Sequence, residues 1–369
     1  MIKKELIEDG QTVVLGLSGG PDSVCLLYEV LALGNPVICA HVNHGLRGEE
    51  SDGDEKYVSA ICERLGVPLE ILRIDVAALA KEKGLTVEEA GRHARYDFFD
   101  EICEKHGGDI VIAVAHNRDD QSETVLMRIL RGTGTDGLAG IPSKRKSASG
   151  FDIVRPLLGT PRADIERKLE EYGESARTDS SNKESVFLRN KLRLEAFPYL
   201  EEHLGLDLRQ GLLRLSENAS EDKDFFDAVV EEAIEEYLEY PEEHNGDGPV
   251  TQGDGPFVSF DTKGPSPCVT GPSPCVTGYL PVELLAGIHP AIRHRLIRAV
   301  FAELGLDRNI AAVHLAAADS LLTTWQDGGE ASGKRVEFPR DYTFGINGKK
   351  AVFRSPEAIE PGWKPRRKL

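Results

Sequence analysis

The sequence lacks both a hydrophobic run that could cross a membrane and a secretory signal at its start. Its longest apolar runs, such as 110–115, have the length of a strand, whereas a membrane helix needs about 20 residues. The charged residues within 1–10 are not followed by the apolar h-region of a signal peptide, so no secretory signal is expected. With 369 residues, 40% hydrophobic and 29% charged, the composition is typical of a globular chain, and we expect a cytoplasmic protein.

Cysteine is scarce, and no two cysteines form a CxxC pair. The six are Cys25, Cys39, Cys62, Cys103, Cys268 and Cys275. The first four lie in apolar periodic segments, where a cysteine usually serves as a small buried hydrophobic residue. The pattern predicts reduced thiols, with neither a disulfide framework nor a zinc ribbon.

Basic residues are outnumbered by acidic ones, 44 to 62, which gives a net charge of −18. This charge at first disfavours a nucleic-acid partner. The excess is local, however: residues 201–250 hold 3 basic and 16 acidic residues, whereas 101–200 hold 16 of each. Basic runs at 144–146 and 364–368 could contact phosphates, although each alone is more typical of a solvated surface.

Apolar runs of strand length alternate with helical periodicity over the first two hundred residues. Strands are predicted at 13–17, 37–42, 69–74 and 110–115, and helices at 24–33, 51–65, 86–105 and 119–131. Thr86 and Glu89 form a capping-box pattern at one helix start. The alternation predicts a doubly wound, mainly parallel α/β domain over 1–205, with ligands beyond the carboxyl ends of its strands.

The pattern changes after residue 205. Residues 206–240 predict an acidic helical connector, and 241–278 a Pro/Gly-rich linker in which one heptad occurs twice, at 264–270 and 271–277. Helices are predicted at 289–304 and 309–325, followed by short strands. We therefore expect a second, smaller and mostly helical domain over 279–369.

The hexapeptide Ser18-Gly19-Gly20-Pro21-Asp22-Ser23 stands between a predicted strand and a predicted helix. Its glycines allow a tight turn, and the turn and helix start direct N–H groups at one point, which favours a phosphate. Asp22 would repel phosphate, so it either caps the helix or holds magnesium. A glycine turn capped by Asp22 or Ser23 is the structural alternative. No Walker motif occurs.

Two further segments follow strand ends. The run 41–47 places His41 and Asn43 on one strand face, with His44 beyond it, at the expected position of a nucleotide pocket. The run 116–124 contains His116, Asp119, Asp120 and Glu123. Carboxylates near a helix start can hold magnesium or bind an amine, whereas N-capping by Asp119 or Asp120 would explain only one of them.

Shorter motifs are individually more typical of a salt-bridged helix or a turn. They are Glu88/Arg92/Arg95/Tyr96, Arg155 to Leu158, Thr178 to Asn182, and Arg189 to Arg193.

Taken together, these segments resemble the tRNA(Ile)-lysidine synthetase family of PP-loop ATP pyrophosphatases. The matching runs, in order over roughly 12–203, are SGGPDS, HVNHGLRG, EEAGRHARY, HNRDDQSET, RGTG, RPLL, TDSSN and RNKLR. The resemblance is weaker in the second domain. It implies that ATP adenylates the ring carbonyl oxygen of the wobble cytidine in a CAU-anticodon isoleucine tRNA, and that the ε-amine of free lysine then expels AMP.

The resemblance also implies residue roles. The ATP site is Ser18, Gly19, Gly20, Pro21, Asp22, Ser23, His41, Asn43 and His44. Magnesium is expected at Asp22 with Asp119 or Asp120, Asp120 being preferred. Asp120 and Glu123 suit the lysine amine, Arg95 suits its carboxylate or a phosphate, and His116 or a nearby carboxylate is the base. Arg131, Arg189, Asn190 and Arg193 are expected to contact tRNA.

Some features depart from the family pattern. The acidic segment and the repeated heptad are atypical, and the further C-terminal domain of longer members is not expected here. A homodimer is compatible with such folds, but no periodic stripe specifies one.

Other functions are weighed against this interpretation. A PP-loop tRNA thiolase is the main alternative, but such enzymes need reactive or cluster-binding cysteines, often as CxxC. An amidotransferase-linked synthetase would need a glutaminase domain. A non-hydrolysing nucleotide sensor would not need the carboxylates at 119–123.

Overall fold

The computed structural model describes residues 2–46, 48–174, 188–241, 277–306 and 309–356, and divides into two compact units, 1–221 and 222–369. No helix in this described part combines the length and the apolar character that crossing a bilayer requires. Several predicted features lie outside the described residues: Arg47, the motif at 178–182, most of the linker with its heptad repeat, Cys268, Cys275 and the basic run at 364–368.

The first unit is an α/β structure. Its strands are β1 (Thr12–Gly16), β2 (Val37–Asn43), β3 (Leu69–Arg73), β4 (Ile110–Ala113), β5 (Lys144–Lys146) and β6 (Asp152–Val154). Its helices are α1 (Pro21–Leu33), α2 (Glu49–Leu65), α3 (Val76–Lys83), α4 (Val87–His106), α5 (Arg118–Leu130), α6 (Thr135–Leu138), α7 (Arg162–Glu171), α8 (Leu188–Lys191) and α9 (Phe197–Leu204). Helix α10 (Leu208–Tyr237) contains the division between the two units.

The six strands form one sheet in the order β3-β2-β1-β4-β6-β5. Every neighbouring pair is parallel except β5 with β6, which is antiparallel. The predicted mainly parallel, doubly wound sheet is therefore confirmed. Because β1 lies between β2 and β4, the segments that follow these three strands meet at one edge of the sheet.

Side chains of the central strands alternate between two helical layers. Val13 and Leu15 belong to a core with α1, α2 and α7, whereas Val14 belongs to a core with α4 that includes Phe99. All three strand residues are fully buried. Burial on both faces accounts for the near-continuous apolar strand sequences.

At three helix starts the N-cap can be compared with the prediction. It agrees at α4 and differs at α1 and α5. The Thr86–Glu89 capping box is present at α4. The N-cap of α1 is Gly20, with no side-chain hydrogen bond, so neither Asp22 nor Ser23 caps it. The N-cap of α5 is Asn117, rather than Asp119 or Asp120, because the Asn117 side chain accepts from the Asp120 N–H. Neither carboxylate is the N-cap itself, but Asp120 completes the capping box, because its side chain accepts from the Asn117 backbone N–H.

The second unit combines helices with an antiparallel sheet. Its strands, in the sheet order β7-β10-β9-β8, are β7 (Thr277–Pro281), β8 (Arg335–Glu337), β9 (Thr343–Asn347) and β10 (Lys350–Arg354). The helices are α11 (Val282–Gly287), α12 (Pro290–Glu303) and α13 (Ala312–Gln326). The core includes Leu296, Phe301 and Phe344. The two predicted helices are confirmed to within three residues, and the domain limits at 205, 240 and 278 stay predictions.

The end of β1 leaves no room for a side chain at Gly16. A Cβ atom there would lie 2.8 Å from Cζ of the buried Phe99 ring. We expect Gly16→Ala to lower the free energy of unfolding by about 1–3 kcal/mol, because the core must shift to admit it. Urea denaturation followed by circular dichroism measures the loss, and an added Phe99→Leu substitution is expected to recover part of it.

Gly211→Ala is the matched control. Gly211 lies inside α10, and no atom lies within 4 Å of a Cβ built there. This substitution should be neutral or stabilising by up to about 1 kcal/mol, because alanine favours a helix interior. Equal losses in both variants would contradict the steric explanation.

Candidate active site

The segment between β1 and α1 is a tight loop held together by two serines. Gly19 has φ +88°, a left-handed conformation that favours glycine. The Ser23 hydroxyl donates to the Gly20 carbonyl at 3.0 Å and accepts from the Ser18 N–H at 3.2 Å. The two serine hydroxyls lie 3.1 Å apart. The loop is thus ordered by its own hydrogen bonds, and α1 starts directly behind it.

A cavity of about 540 Å³ lies at this edge of the sheet. The loop, the ends of β1, β2 and β4, and α4 all contribute to it. Its polar lining residues are Ser18, Asp22, Ser23, His41, His44, Arg95, Tyr96, His116 and Asp120. A cavity of this size is typical of a small-molecule site.

The Nε2 atom of His41 is available to bind a ligand. Its Nδ1–H donates to the Leu17 carbonyl at 2.8 Å, which leaves Nε2 as an acceptor. Nε2 is buried and has no hydrogen-bond partner among the described residues, and the ring lines the cavity. A buried polar atom without a partner is costly unless a ligand satisfies it. The residues present therefore fit a nucleotide, which offers hydroxyl and amino donors.

Asn43 has a different place from the one predicted. Its side chain donates to Asp52 at 3.2 Å and Glu55 at 3.1 Å, and accepts from the Gly45 N–H at 3.1 Å. It is not among the cavity-lining residues. Asn43 holds the loop after β2, on which His44 reaches the cavity.

Asp22 and Asp120 face the same cavity and are bridged by Asn117. The side-chain amide of Asn117 donates to Asp22 Oδ1 at 3.0 Å, and the backbone N–H of Asn117 donates to Asp120 Oδ2 at 3.1 Å. Burial raises the pKa of Asp22; the hydrogen bond from Asn117 lowers it in part, and the charge of Asp120 raises it again. Two neighbouring carboxylates in one cavity suit a cation. Asp119 instead lies near Arg209 at 3.6 Å and does not line the cavity.

Two arginines neutralise the carboxylates of α5. Arg189 contacts Asp120 at 2.8 Å and Glu123 at 2.7 Å, and Arg193 contacts Glu123 at 2.6 Å. Glu123 is 1% exposed and is not among the cavity-lining residues. The structure thus joins residues that the sequence analysis assigned separately to lysine and to tRNA. Asn190 belongs to the same short helix, and Arg131 lies exposed at the end of α5.

His116 is held neutral by its own burial and by the neighbouring Arg155. Arg155, 1% exposed, donates from Nε to His116 Nδ1 at 3.3 Å and from Nη1 to the Pro142 carbonyl at 2.6 Å. Burial, and next the charge of Arg155, lower the pKa of His116 to about 3. Because Nδ1 accepts, the ring hydrogen lies on Nε2. His116 is therefore a neutral donor, and of the two candidate bases the structure favours a carboxylate.

The cavity unites much of the predicted site and adds residues that the motifs did not reveal. Predicted residues that do not line it are Gly19, Pro21, Asn43, Asp119, Glu123 and the expected tRNA-binding residues. Tyr96 lines the cavity but stood only in a weak motif. Arg155, from another weak motif, does not line the cavity and contacts His116. Phe99 carried no polar signal, and its position in the lining follows from its contact with Gly16.

The described cysteines are buried and free. Burial raises the pKa of Cys25 and of Cys103 to about 12. Such thiols stay protonated, and only the thiolate is nucleophilic. Among the described residues no group of histidines, cysteines and carboxylates is placed to hold a metal by itself. These findings agree with the predicted buried thiols and give the thiolase alternative no support.

Comparison with known proteins gives matches to two family models. The model described as "PP-loop domain" matches residues 1–200, and the model described as "TilS substrate binding domain" matches 280–340. One match lies within each unit of the chain.

Curated relatives carry one shared name. A "tRNA(Ile)-lysidine synthase" of Clostridium tetani is 42% identical over 229 residues, 61% of this chain and 48% of the relative. One from Parabacteroides distasonis is 42% identical over 236 residues, 64% of this chain and 52% of the relative. The chain spans about half the length of these relatives. Among solved structures, the U34-tRNA thiolase NcsA from Methanococcus maripaludis can be superposed with TM-score 0.48 and 20% identity. The match covers 59% of this chain and 75% of the NcsA chain.

The pairing of Glu123 with Arg193 generates a stability prediction. Arg193→Met leaves the buried Glu123 with Arg189 as its remaining partner, so we expect the first unit to lose about 1.5–3 kcal/mol, the contribution of a hydrogen bond to a charged group. Glu123→Leu combined with Arg193→Met should cost less than the sum of the single substitutions, because the contact between the two side chains can be lost only once. Denaturant titration of the four proteins measures the coupling, and strict additivity would show that the pair is energetically unimportant.

Proposed function

Since the chain belongs to the PP-loop domain family, whose model matches residues 1–200, we propose that it is an ATP-dependent ligase that attaches free lysine to the wobble cytidine of an isoleucine tRNA. The curated relatives named tRNA(Ile)-lysidine synthase support this substrate class. So does the match of 280–340 to a TilS substrate binding domain.

One observation carries the proposal: a loop suited to phosphate and a carboxylate suited to an amine face the same cavity. Ser18 and Ser23 line one part of it, and Asp120 lines another. A ligase of this kind must bring together a nucleotide, an acceptor oxygen and an amine. Proximity of this kind can supply a large part of the rate enhancement.

The proposed reaction has two balanced steps. The ring carbonyl oxygen of cytidine attacks the α-phosphorus of ATP, which forms an O–P bond and releases pyrophosphate. The lysine ε-amine then attacks the ring carbon, loses a proton, and expels AMP with the former carbonyl oxygen. Adenylation is needed because the unmodified oxygen is a poor leaving group.

The residues present fit the roles that this chemistry requires. The backbone N–H groups of the Ser18–Ser23 loop and the start of α1 would bind the departing pyrophosphate. The Nε2–H of His116 would donate to an oxygen that gains negative charge. Asp22 and Asp120 would hold Mg²⁺, which offsets phosphate charge when bound.

Lysine binding is assigned to Asp120 and Arg95. Asp120 would pair with the ammonium group and accept the proton lost on attack, and Arg95 would bind the carboxylate. Glu123 is already paired with two arginines, so we assign it to positioning Asp120 through the shared Arg189. Binding of tRNA by Arg131 and Asn190 stays a prediction.

Incubation of the purified chain with ATP, labelled lysine and an unmodified CAU-anticodon isoleucine tRNA tests the proposal. Lysine should be fixed in this tRNA with stoichiometric AMP, and not in a tRNA with a substituted wobble base. Asp120→Asn should reduce the rate at least about a hundredfold, since a general base contributes this much. AMP formation without lysine fixation would overturn the lysine assignment and leave the PP-loop activity.

Asp164→Asn is the matched control for charge. Asp164 lies on α7 and pairs with Arg167 at 2.9 Å, so this variant should keep the activity of the parent protein. Asp119→Asn separates the two carboxylates that follow Asn117, and its effect should be smaller than that of Asp120→Asn.

The pKa of His116 generates a pH prediction. A group lowered to about 3 stays neutral as the pH falls well below the usual histidine value, so no ionisation of His116 should appear in the rate between about pH 5 and 9. His116→Gln keeps an N–H donor and should retain more activity than His116→Ala, whose loss should be about 10²-fold. A rate that rises with deprotonation of a group near pH 6.5, and is lost in both variants, would instead identify His116 as the base.

A further inference from the structure

Four arginines lie near Tyr96, a tyrosine of α4 that lines the cavity. Arg92 lies over the Tyr96 ring with Cζ 5.0 Å from the centroid, and Arg145 lies over it at 4.6 Å. The phenol of Tyr96 acts on the pKa of Arg155 and raises it, and Arg95 precedes Tyr96 and lines the cavity. We call Arg92, Arg95, Arg145 and Arg155 the arginine patch.

No member of the arginine patch forms an ion pair with a carboxylate of the described residues. The nearby Lys144 and Lys146 differ, because they contact Asp152 at 3.1 and 2.9 Å. Arg189 and Arg193 differ as well, because they are paired with Asp120 and Glu123. In a chain of net charge −18, four arginines without acidic partners at one place are a local reversal of the overall charge.

Within the arginine patch the charges act on one another and on the tyrosine. Burial lowers the pKa of Arg155; the phenol of Tyr96 raises it in part, and the charges of Arg145 and Arg92 lower it further. Burial acts to raise the pKa of Tyr96, but Arg155, Arg92 and Arg145 bring it below its ordinary value. The contacts of Arg92 and Arg145 with the aromatic ring offset only part of the repulsion between the guanidinium groups. A bound anion would relieve the rest.

The position of the patch distinguishes between the anions that the proposed reaction uses. Phosphates of ATP are accounted for by the loop before α1. Arg92 is exposed on α4, and Arg145 lies on β5, the edge strand of the sheet. Both contact Tyr96, which lines the cavity. A wobble base that enters the cavity brings its flanking backbone phosphates to such a rim, and Arg is well suited to bind them.

Resting on the proposed function, we propose that Arg92 and Arg145 bind a backbone phosphate of the substrate RNA beside the nucleotide to be modified. Tyr96 holds the two guanidinium groups in place. This site on α4 and β5 is additional to the RNA contacts predicted at Arg189 and Arg193. Unlike those two arginines, Arg92 and Arg145 form no ion pair with a carboxylate of the described residues.

Direct binding measurements test this site separately from catalysis. The dissociation constant of the full chain for an unmodified CAU-anticodon isoleucine tRNA is measured by fluorescence anisotropy at several salt concentrations. Arg92→Gln and Arg145→Gln should each raise it about tenfold, as expected for one lost charge-assisted hydrogen bond. Each should also reduce the slope of log Kd against log salt concentration by about 1, the change expected when one phosphate contact is lost. The dissociation constant for ATP should stay within twofold.

Lys144→Gln is the matched control, because it removes the same charge from the same strand at a residue already paired with Asp152. It should leave RNA affinity within twofold, and thermal melting should show that all variants are folded. Equal weakening by Lys144→Gln would mean a diffuse field rather than a site. Loss of ATP affinity with RNA affinity unchanged would assign the patch to the nucleotide, and no change in either would also overturn the proposal.

The RNA-binding measurements can be interpreted whether or not the protein fixes lysine. Weaker RNA binding in the two variants, in a protein that fixes no lysine, would support the RNA site and reject the proposed reaction. Unchanged RNA binding, in a protein that does fix lysine, would do the reverse.

Discussion

The candidate site depends on the parallel pairing of β1 with β2 and β4. Val13 pairs with Val37 on one side and Val111 on the other, so the three strands end at one edge of the sheet. Because their side chains alternate between two buried helical layers, a shift of one residue would exchange the two cores. This constraint fixes where the loop at Ser18, the ring of His41 and the segment at His116 meet.

Charge at this edge is arranged in two different ways. The carboxylates of Asp120 and Glu123 are covered by Arg189 and Arg193, whereas the arginines around Tyr96 have no acidic partner among the described residues. In the proposed reaction, an anionic nucleotide, a cationic amine and an RNA backbone meet at this edge, and such a division of charge would suit all three. Binding of lysine to Asp120 would have to replace part of the contact with Arg189, so substrate entry and the arginine pairing are physically coupled.

The environment of His116 explains why a histidine here need not act as a base. Its pKa is lowered by burial and by Arg155, and the same arginine fixes which ring nitrogen carries the hydrogen. A neutral imidazole can stabilise developing negative charge without exchanging a proton. In the proposed reaction this leaves proton removal to a carboxylate, and it assigns the buried Arg155 a positioning role.

Local patterns determined the fold class and the place of the site. Continuous apolar strands alternating with periodic helices specify a parallel sheet, and the Ser18–Ser23 hexapeptide specifies a tight loop between β1 and α1, because both depend on neighbours in the chain. Only the tertiary structure decided which polar side chains share the cavity. Asn43 turned to Asp52 and Glu55, and Glu123 was enclosed by two arginines from a distant segment. Such pairings depend on contacts between residues far apart in sequence, which no local pattern specifies.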